Sequence, residues 1–339
     1  MKRKSIKDLI QIDTSLTTPV YKQIVYSISR NIDKGILNKD DMLPSVNQIA
    51  TEFSLARGSV FTAYNDLRSS GIIDSIPGKG YFVLSTETRQ KKKIFLLFST
   101  FTPYKETLYN ALLSHLPETC SLDIYFHHHS MRMFETLIRE QAAYYNTYII
   151  MPEVNEHTPA ILSRLDHKHT FLLDVGWKEY RDIYPGVYQN FEKDIYSILS
   201  ESERLVRKYK RLFLVFPEGS RTTDIIAGFQ QFARRKVIPT EVRNIVRPDD
   251  VRKGDAFIVL DDNHLVDVLQ AARGKGWQAG KDIGILSYNE TNLKSVIGSG
   301  ITTITTDFTA MGKVMAGMVA GGKREVVENP FVLIDRKSF

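Results

Sequence analysis

Cysteine is all but missing: in 339 residues only Cys120 occurs. No internal disulfide can form, so the fold rests on burial and hydrogen bonding, and a reducing, cytoplasmic setting fits. Long hydrophobic runs are missing as well. Nothing approaches the ~20 apolar residues of a membrane span. The basic start, Met1 to Lys4, leads into polar sequence instead of the apolar core of a signal peptide, and reads as an arm able to lie along phosphates. Catalytic signatures are equally scarce. The chain holds no P-loop, no Gly-x-Ser-x-Gly and no His-Glu-x-x-His, and Gly274-x-Gly276 lacks the rest of a dinucleotide fingerprint. His127-His128-His129 suggests a metal site at first sight. On a strand, however, neighbouring side chains point to opposite faces and cannot converge on one ion, so a solvated strand end is expected. The residues thus indicate no enzyme, no metal and no cofactor.

What the chain does have is a localised positive charge. Of 45 Lys+Arg and 39 Asp+Glu, residues 1–93 contain 15 and 9, which accounts for the whole net charge of +6. A polyanion-binding module belongs in that segment. Its patterning agrees. Between Pro44 and Phe53, apolar Val46, Ile49, Ala50 and Phe53 recur at helical spacing, with Ser45 and Gln48 placed as a capping box. After a break at Ser54-Leu55, the positions Val60, Ala63, Tyr64 and Leu67 repeat the spacing up to Gly71, where a left-handed stop is expected. Ile72-Ile73, a turn over Pro77-Gly78-Lys79-Gly80 and Tyr81-Phe82-Val83 then read as a hairpin. Helix, turn, helix and hairpin make a winged helix-turn-helix over residues 1–85. A support helix starts at Thr18-Pro19 and runs through Val20, Ile24, Ile28 and Ile32.

The second helix opens on Ala56-Arg57-Gly58-Ser59, small and polar, as the end of a recognition helix in the major groove must be. Arg57 can donate two hydrogen bonds to guanine, and Ser59 can reach a base or phosphate. Lys79, between two glycines at the hairpin tip, is placed to touch phosphate or the minor groove. These residues also carry a resemblance. Thr18-Pro19-Val20-Tyr21-x-Gln23-Ile24, Leu43-Pro44-Ser45, Ile49-Ala50, Ala63-Tyr64-x-x-Leu67, Gly71-Ile72-Ile73 and Gly78-x-Gly80-Tyr81-x-Val83 are similar to the reader domain of GntR-type bacterial regulators. The resemblance implies double-stranded operator DNA as partner, met by Ser45, Asn47, Arg57, Gly58 and Ser59, with Gly78, Lys79 and Gly80 in the wing. Asn47 stands where the family usually has arginine; it can still bond phosphate or adenine.

Ser85 to Lys93, charged and without period, reads as a linker, with its bounds at 86–93. The texture then changes. Ile94 to Phe98 is a continuous apolar run, as a strand buried on both faces shows. Further strands are expected at 122–126, 148–151, 171–175, 212–216, 257–260 and 283–287, alternating with helical segments. Alternation of this kind predicts a doubly wound α/β architecture, and at 246 residues, two lobes. Phe216-Pro217-Glu218-Gly219-Ser220, Ala227-Gly228-Phe229, Val259-Leu260-Asp261-Asp262, Asp282 to Asn289, Ile301 to Ile304 and Leu333-Ile334-Asp335-Arg336-x-Ser338 resemble landmarks of LacI-type effector domains, which share the periplasmic-binding-protein fold.

The combined architecture resembles the arabinose repressor group. That implies a homodimeric repressor responding to a monosaccharide such as L-arabinose or L-fucose, held between the lobes of residues 94–339. A sugar cleft needs hydroxyl partners and an aromatic face. Asp262 matches the family's ligand aspartate and Asn289 its Gly-Tyr-Asp segment. Arg221 follows the Pro-Glu-Gly turn, although the family's arginine falls on Ile225. Thr102 and Tyr104 follow the first sensor strand, and Trp177 offers an aromatic face. Two alternatives stand beside this: a sensor for a nucleobase or sugar phosphate, and a reader fused to an aminotransferase-like enzyme carrying a cofactor lysine.

Overall fold

The computed structural model describes residues 5–13, 18–86, 92–142 and 145–339; the arm at 1–4 and the linker positions 87–91 lie outside them. The amino-terminal unit contains α1 (Ile6–Leu9), α2 (Val20–Asp33), α3 (Val46–Glu52), α4 (Arg57–Ser69) and the antiparallel pair β1 (Ile73–Ile76) and β2 (Gly80–Val83). Because apolar residues recur every three or four positions, each main helix turns one stripe inward. Ile24, Ile28, Ile49, Val60, Ala63, Tyr64 and Leu67 are fully buried in one core. Tyr64 joins the helices to the wing. Its ring meets Tyr81 edge-on at 4.6 Å, and its hydroxyl donates to the Pro44 carbonyl at 2.5 Å, so no buried polar atom is left wanting there. Pro19 takes the cap position of α2, so the helix starts one residue later than expected, and Gly71 adopts the left-handed φ of +69° foreseen for it.

The larger unit opens with β3 (Lys92–Phe98), α5 (Pro103–His115), β4 (Cys120–Phe126), α6 (Met131–Gln141), β5 (Thr147–Ile150), α7 (Thr158–Leu162), β6 (Thr170–Asp174), α8 (Trp177–Tyr180) and β7 (Gly186–Tyr188). Lys92 and Lys93, assigned by composition to the linker, already belong to β3. Next come α9 (Phe191–Glu201), α10 (Glu203–Val206), β8 (Arg211–Val215), α11 (Asp224–Ala233), β9 (Thr240–Arg243), β10 (Asp255–Val259), α12 (Asp262–Gly274), β11 (Gly284–Tyr288), α13 (Asn292–Val296) and β12 (Thr302–Thr306). α14 (Phe308–Gly321), β13 (Val326–Glu328) and β14 (Phe331–Ile334) complete the chain's elements.

Two six-stranded sheets result. The first, in the order β13-β7-β6-β5-β3-β4, is parallel throughout. The second, β14-β12-β11-β10-β8-β9, is parallel except where β14 runs against β12. The apolar run of β3 has a simple cause: Ile94, Leu96 and Phe98 enter one core while Phe95 and Leu97 enter the core on the opposite face. β8 repeats this, with Leu212 and Leu214 on one side and Phe213 and Val215 on the other. Strands β7, β9, β12, β13 and β14 were not foreseen. β12 is mostly threonine, and the rest are three or four residues long, too short for a period to register.

The chain crosses between lobes three times, after β7, after β12 and after β13. The crossings hold one another. Asn329 donates from its side chain to Thr306 Oγ1 (2.7 Å) and the Asp307 carbonyl (2.9 Å), its backbone N–H donates to Tyr188 (2.8 Å), and Asp307 N–H donates to Pro330 (2.9 Å). Hydrogen bonds among the crossings thus tie together the segments that join the two lobes. Among the described residues no helix is long and apolar enough to cross a membrane.

Candidate functional site

The reader's exposed residues follow from its caps. Ser45 caps α3: its hydroxyl accepts from Gln48 N–H (3.3 Å) and its N–H donates to the Gln48 side chain (2.8 Å), while Asn47 stays exposed one position into the helix. Arg57 is the first residue of α4 and is exposed; Gly58 has open space around it, and Ser59 is half-buried. Gly78 and Gly80, at φ +76° and +115°, turn the wing so that Lys79 projects from its tip. The sequence reading passed over Phe61, which is 50% exposed four residues after Arg57 on the same helix. Its spacing from Arg57 was the available signal, since positions i and i+4 share a helix face.

In the larger unit a cavity of about 390 Å³ opens between the lobes. Of the expected effector residues, Tyr104, Arg221 and Asn289 line it. Tyr104 is stacked on Phe308 at 4.9 Å, and Asn289 sits at φ +62° just past the end of β11. Thr102 caps α5 behind Tyr104 and is not part of the lining. Trp177 lies outside it too, edge-on to Tyr188 with the Arg181 guanidinium over its ring. Asp262 also falls outside the lining: 64% exposed, it opens α12 and pairs with Lys294 at 3.0 Å. That lysine is buried and donates to the carbonyls of Tyr288 (3.0 Å) and Asn289 (2.9 Å), which holds the turn presenting both side chains.

The floor of the cavity is built by residues the sequence reading missed: Lys105, Asp174, Gln189 and Tyr288. Lys105 rises from the first turn of α5 and donates to the hydroxyls of Ser99 and Thr100. Asp174 ends β6 with φ +75° and accepts from Gln189. A carboxylate closing an otherwise apolar strand, Thr-Phe-Leu-Leu-Asp, was a legible sign, because ligands of open α/β sheets bind at strand carboxyl ends. Burial raises the Asp174 pKa, opposed by Lys105 and Gln189; burial lowers that of Lys105, opposed by Asp174 and Glu153. Burial likewise drives the Tyr288 hydroxyl well above the usual phenol value. The Gln189 Oε1, Tyr288 hydroxyl and Asn289 Oδ1 are buried and have no hydrogen-bond partner.

The histidine run requires a correction. The chain leaves β4 at Phe126, and His128 and His129 take φ of +50° and +58°, so the strand alternation no longer applies. His127 is fully buried, with Nε2 on the Met151 carbonyl at 3.1 Å, and its ring meets Glu153 at 3.6 Å. His129 bonds the same carboxylate at 2.6 Å. Burial drives the His127 pKa down to about 4, against the pull of Glu153. Burial works against the Glu153 charge, but the His129 hydrogen bond and the nearby charges of His129, His127 and Arg221 outweigh it and hold the carboxyl below its ordinary range. Arg221, from the other lobe, reaches Glu153 at 3.2 Å and the His129 carbonyl at 3.4 Å. Lys178 adds a second bridge to Asp224 at 2.8 Å. One segment of the second lobe is therefore clasped by two ion pairs from the first.

Residues 20–83 match bacterial regulatory proteins of the gntR family, and residues 205–339 match a periplasmic binding protein-like domain. A winged reader joined to a two-lobed receptor of this kind defines a transcription regulator. The HTH-type transcriptional repressor YtrA of Bacillus subtilis is 34% identical over 100 residues, 30% of this chain and 73% of that protein. The mannosyl-D-glycerate transport/metabolism system repressor MngR of Escherichia coli is 37% identical over 81 residues, 24% of this chain and 33% of that one. The chain belongs to the gntR family of bacterial regulators. Among solved structures, a dimeric lac repressor superposes with a TM-score of 0.61 at 17% identity, over 73% of this chain and 98% of that one. A periplasmic binding protein/LacI regulator from Alkaliphilus metalliredigens, complexed with D-xylulofuranose, gives 0.57 at 13% identity, over 72% and 97%.

Proposed function

We propose that this protein is a dimeric repressor whose hold on operator DNA is set by a monosaccharide in the interlobe cleft. Residues 1–85 act as the reader, 86–91 as the connection and 92–339 as the receptor. One observation carries the sugar reading: Gln189, Tyr288 and Asn289 line the cavity, and each has a buried polar atom, Gln189 Oε1, the Tyr288 hydroxyl and Asn289 Oδ1, without a hydrogen-bond partner. Leaving such groups unpaired costs about 1–3 kcal/mol each. A polyhydroxyl ligand supplies what they need. The solved relative holding D-xylulofuranose lends support, being of the same fold.

On the DNA side, Arg57 reads a guanine edge, Asn47 and Ser59 contact base or phosphate, and the Gly78-Lys79-Gly80 tip touches the backbone. Phe61 meets a thymine methyl, the apolar contact open to it in the major groove. Two readers in a homodimer engage half-sites about 34 Å apart. The sugar acts by preferring one lobe arrangement, and about 1–3 kcal/mol of coupling gives a working switch in a cytoplasmic regulator. Fluorescence anisotropy of the chain on its own promoter DNA, titrated with L-arabinose, L-fucose and other monosaccharides, tests this. At least one should weaken binding five-fold or more; unchanged affinity with every sugar would sink the proposal.

A further inference from the structure

Resting on the cleft reading above, we infer that the ligand is an uncharged, donor-rich polyol, read by Lys105 as donor and Asp174 as acceptor, and that anionic sugars are rejected. Lys105 is 5% exposed and Asp174 6%, and no ion pair joins them among the described residues. Two of the three ammonium protons go to Ser99 and Thr100, leaving one for a ligand. Asp174 receives one side-chain bond, from Gln189, which leaves lone pairs open on its carboxylate.

Charge and hydrogen-bond counts agree. Of the charged groups lining the cavity, Lys105 stands against Asp174, and Arg221 is already engaged by Glu153, which is not part of the lining. The site is balanced before a ligand arrives. An anion would enter as uncompensated charge next to Asp174, where burial makes such charge expensive. The open groups also lean toward acceptors: Asp174, Gln189 Oε1 and Asn289 Oδ1 all need a donor. A hydroxyl donates and accepts at once, so adjacent hydroxyls can take the Lys105 proton and serve these oxygens. A carboxylate or phosphate only accepts, and leaves them bare.

Isothermal calorimetry on the full chain compares L-arabinose, L-fucose and D-galactose with D-galacturonate and D-galactose 6-phosphate. At least one neutral sugar should bind, with both anions at least 100-fold weaker than the best of them. Asp174→Asn should weaken the neutral sugar ten-fold or more and narrow the gap to the uronate; Lys105→Met should weaken it similarly, with circular dichroism confirming that each variant folds. Anions binding as tightly as neutral sugars to the wild-type chain overturn this inference while leaving the sugar reading intact. If no sugar of either kind binds, both fall. The wild-type panel decides even should a variant not fold.

Discussion

The reader and the receptor use polar side chains in opposite ways. In the reader, the buried side chains of Gln23 and Tyr64 are bonded within the protein, and Asn47, Arg57 and Lys79, assigned to DNA, are exposed. In the receptor, the surface of the cleft is closed by ion pairs, while buried groups on its floor remain without partners. A partner as large as DNA can come to exposed side chains. A small solute must be enclosed, and its recognition groups have to be buried ahead of its arrival at some cost in stability.

If that contrast holds, damage to each unit should stay separable. The largest effect is expected from Gly228→Ala. A Cβ there would lie 2.1 Å from the Glu192 carbonyl and 2.4 Å from Ile195, so α9 and α11 must part. We expect a loss of about 3 kcal/mol in the receptor's urea transition, overpacking against backbone being the costly kind. Specific DNA binding by folded protein should survive.

Acid should expose the next difference. His127 is neutral when folded, its pKa drawn from 6.5 to about 4 chiefly by burial. Above pH 6.5 it is neutral in both states and adds no pH dependence. As pH falls from 6.5 to 4, the unfolded chain takes up a proton that the folded one refuses, and receptor stability drops by up to about 3 kcal/mol. Denaturant melts across that range should show the slope in the wild type and lose it in His127→Phe. A slope unchanged by the substitution would remove His127 as its source.

For the reader, Arg57→Ala should weaken specific binding by about 1–3 kcal/mol and relax one base position, with sugar affinity untouched. A footprint identical to wild type would contradict the assigned role. Lys79→Ala should lower affinity evenly across sequences and reduce the salt slope by about one. Smallest of all, Arg221→Ala should cost less than about 1 kcal/mol of stability, since that side chain is well exposed. Its effect belongs in the lobe opening seen by small-angle scattering; an unchanged radius of gyration would show that the clasp does not hold the lobes.

How far residues could be read ahead of the structure follows the same division. Arg57, Ser59 and Lys79 could be placed at a helix start and a turn tip because such positions are set by their immediate neighbours. In the cleft, Tyr104, Arg221 and Asn289 were named and do line the cavity, whereas Thr102, Trp177 and Asp262 do not. Lys105, Asp174, Gln189 and Tyr288 went unnoticed. Lys105 on α5, Asp174 at the end of β6, Gln189 just after β7 and Tyr288 at the end of β11 are spread along most of the receptor, so no local spacing links them.

The sequence by itself determined the winged reader, the alternation of strands and helices, and the segregation of positive charge, because each depends on neighbours within a few positions. Which polar groups end up enclosed was decided only by tertiary structure. Two sheets had to form and three crossings had to tie them before Lys105 and Asp174 could share one cavity floor. The histidines show the same reason in small: where a solvated strand end was expected, the backbone turns left-handed at His128 and His129, and a buried His127 and a partly exposed His129 both meet Glu153.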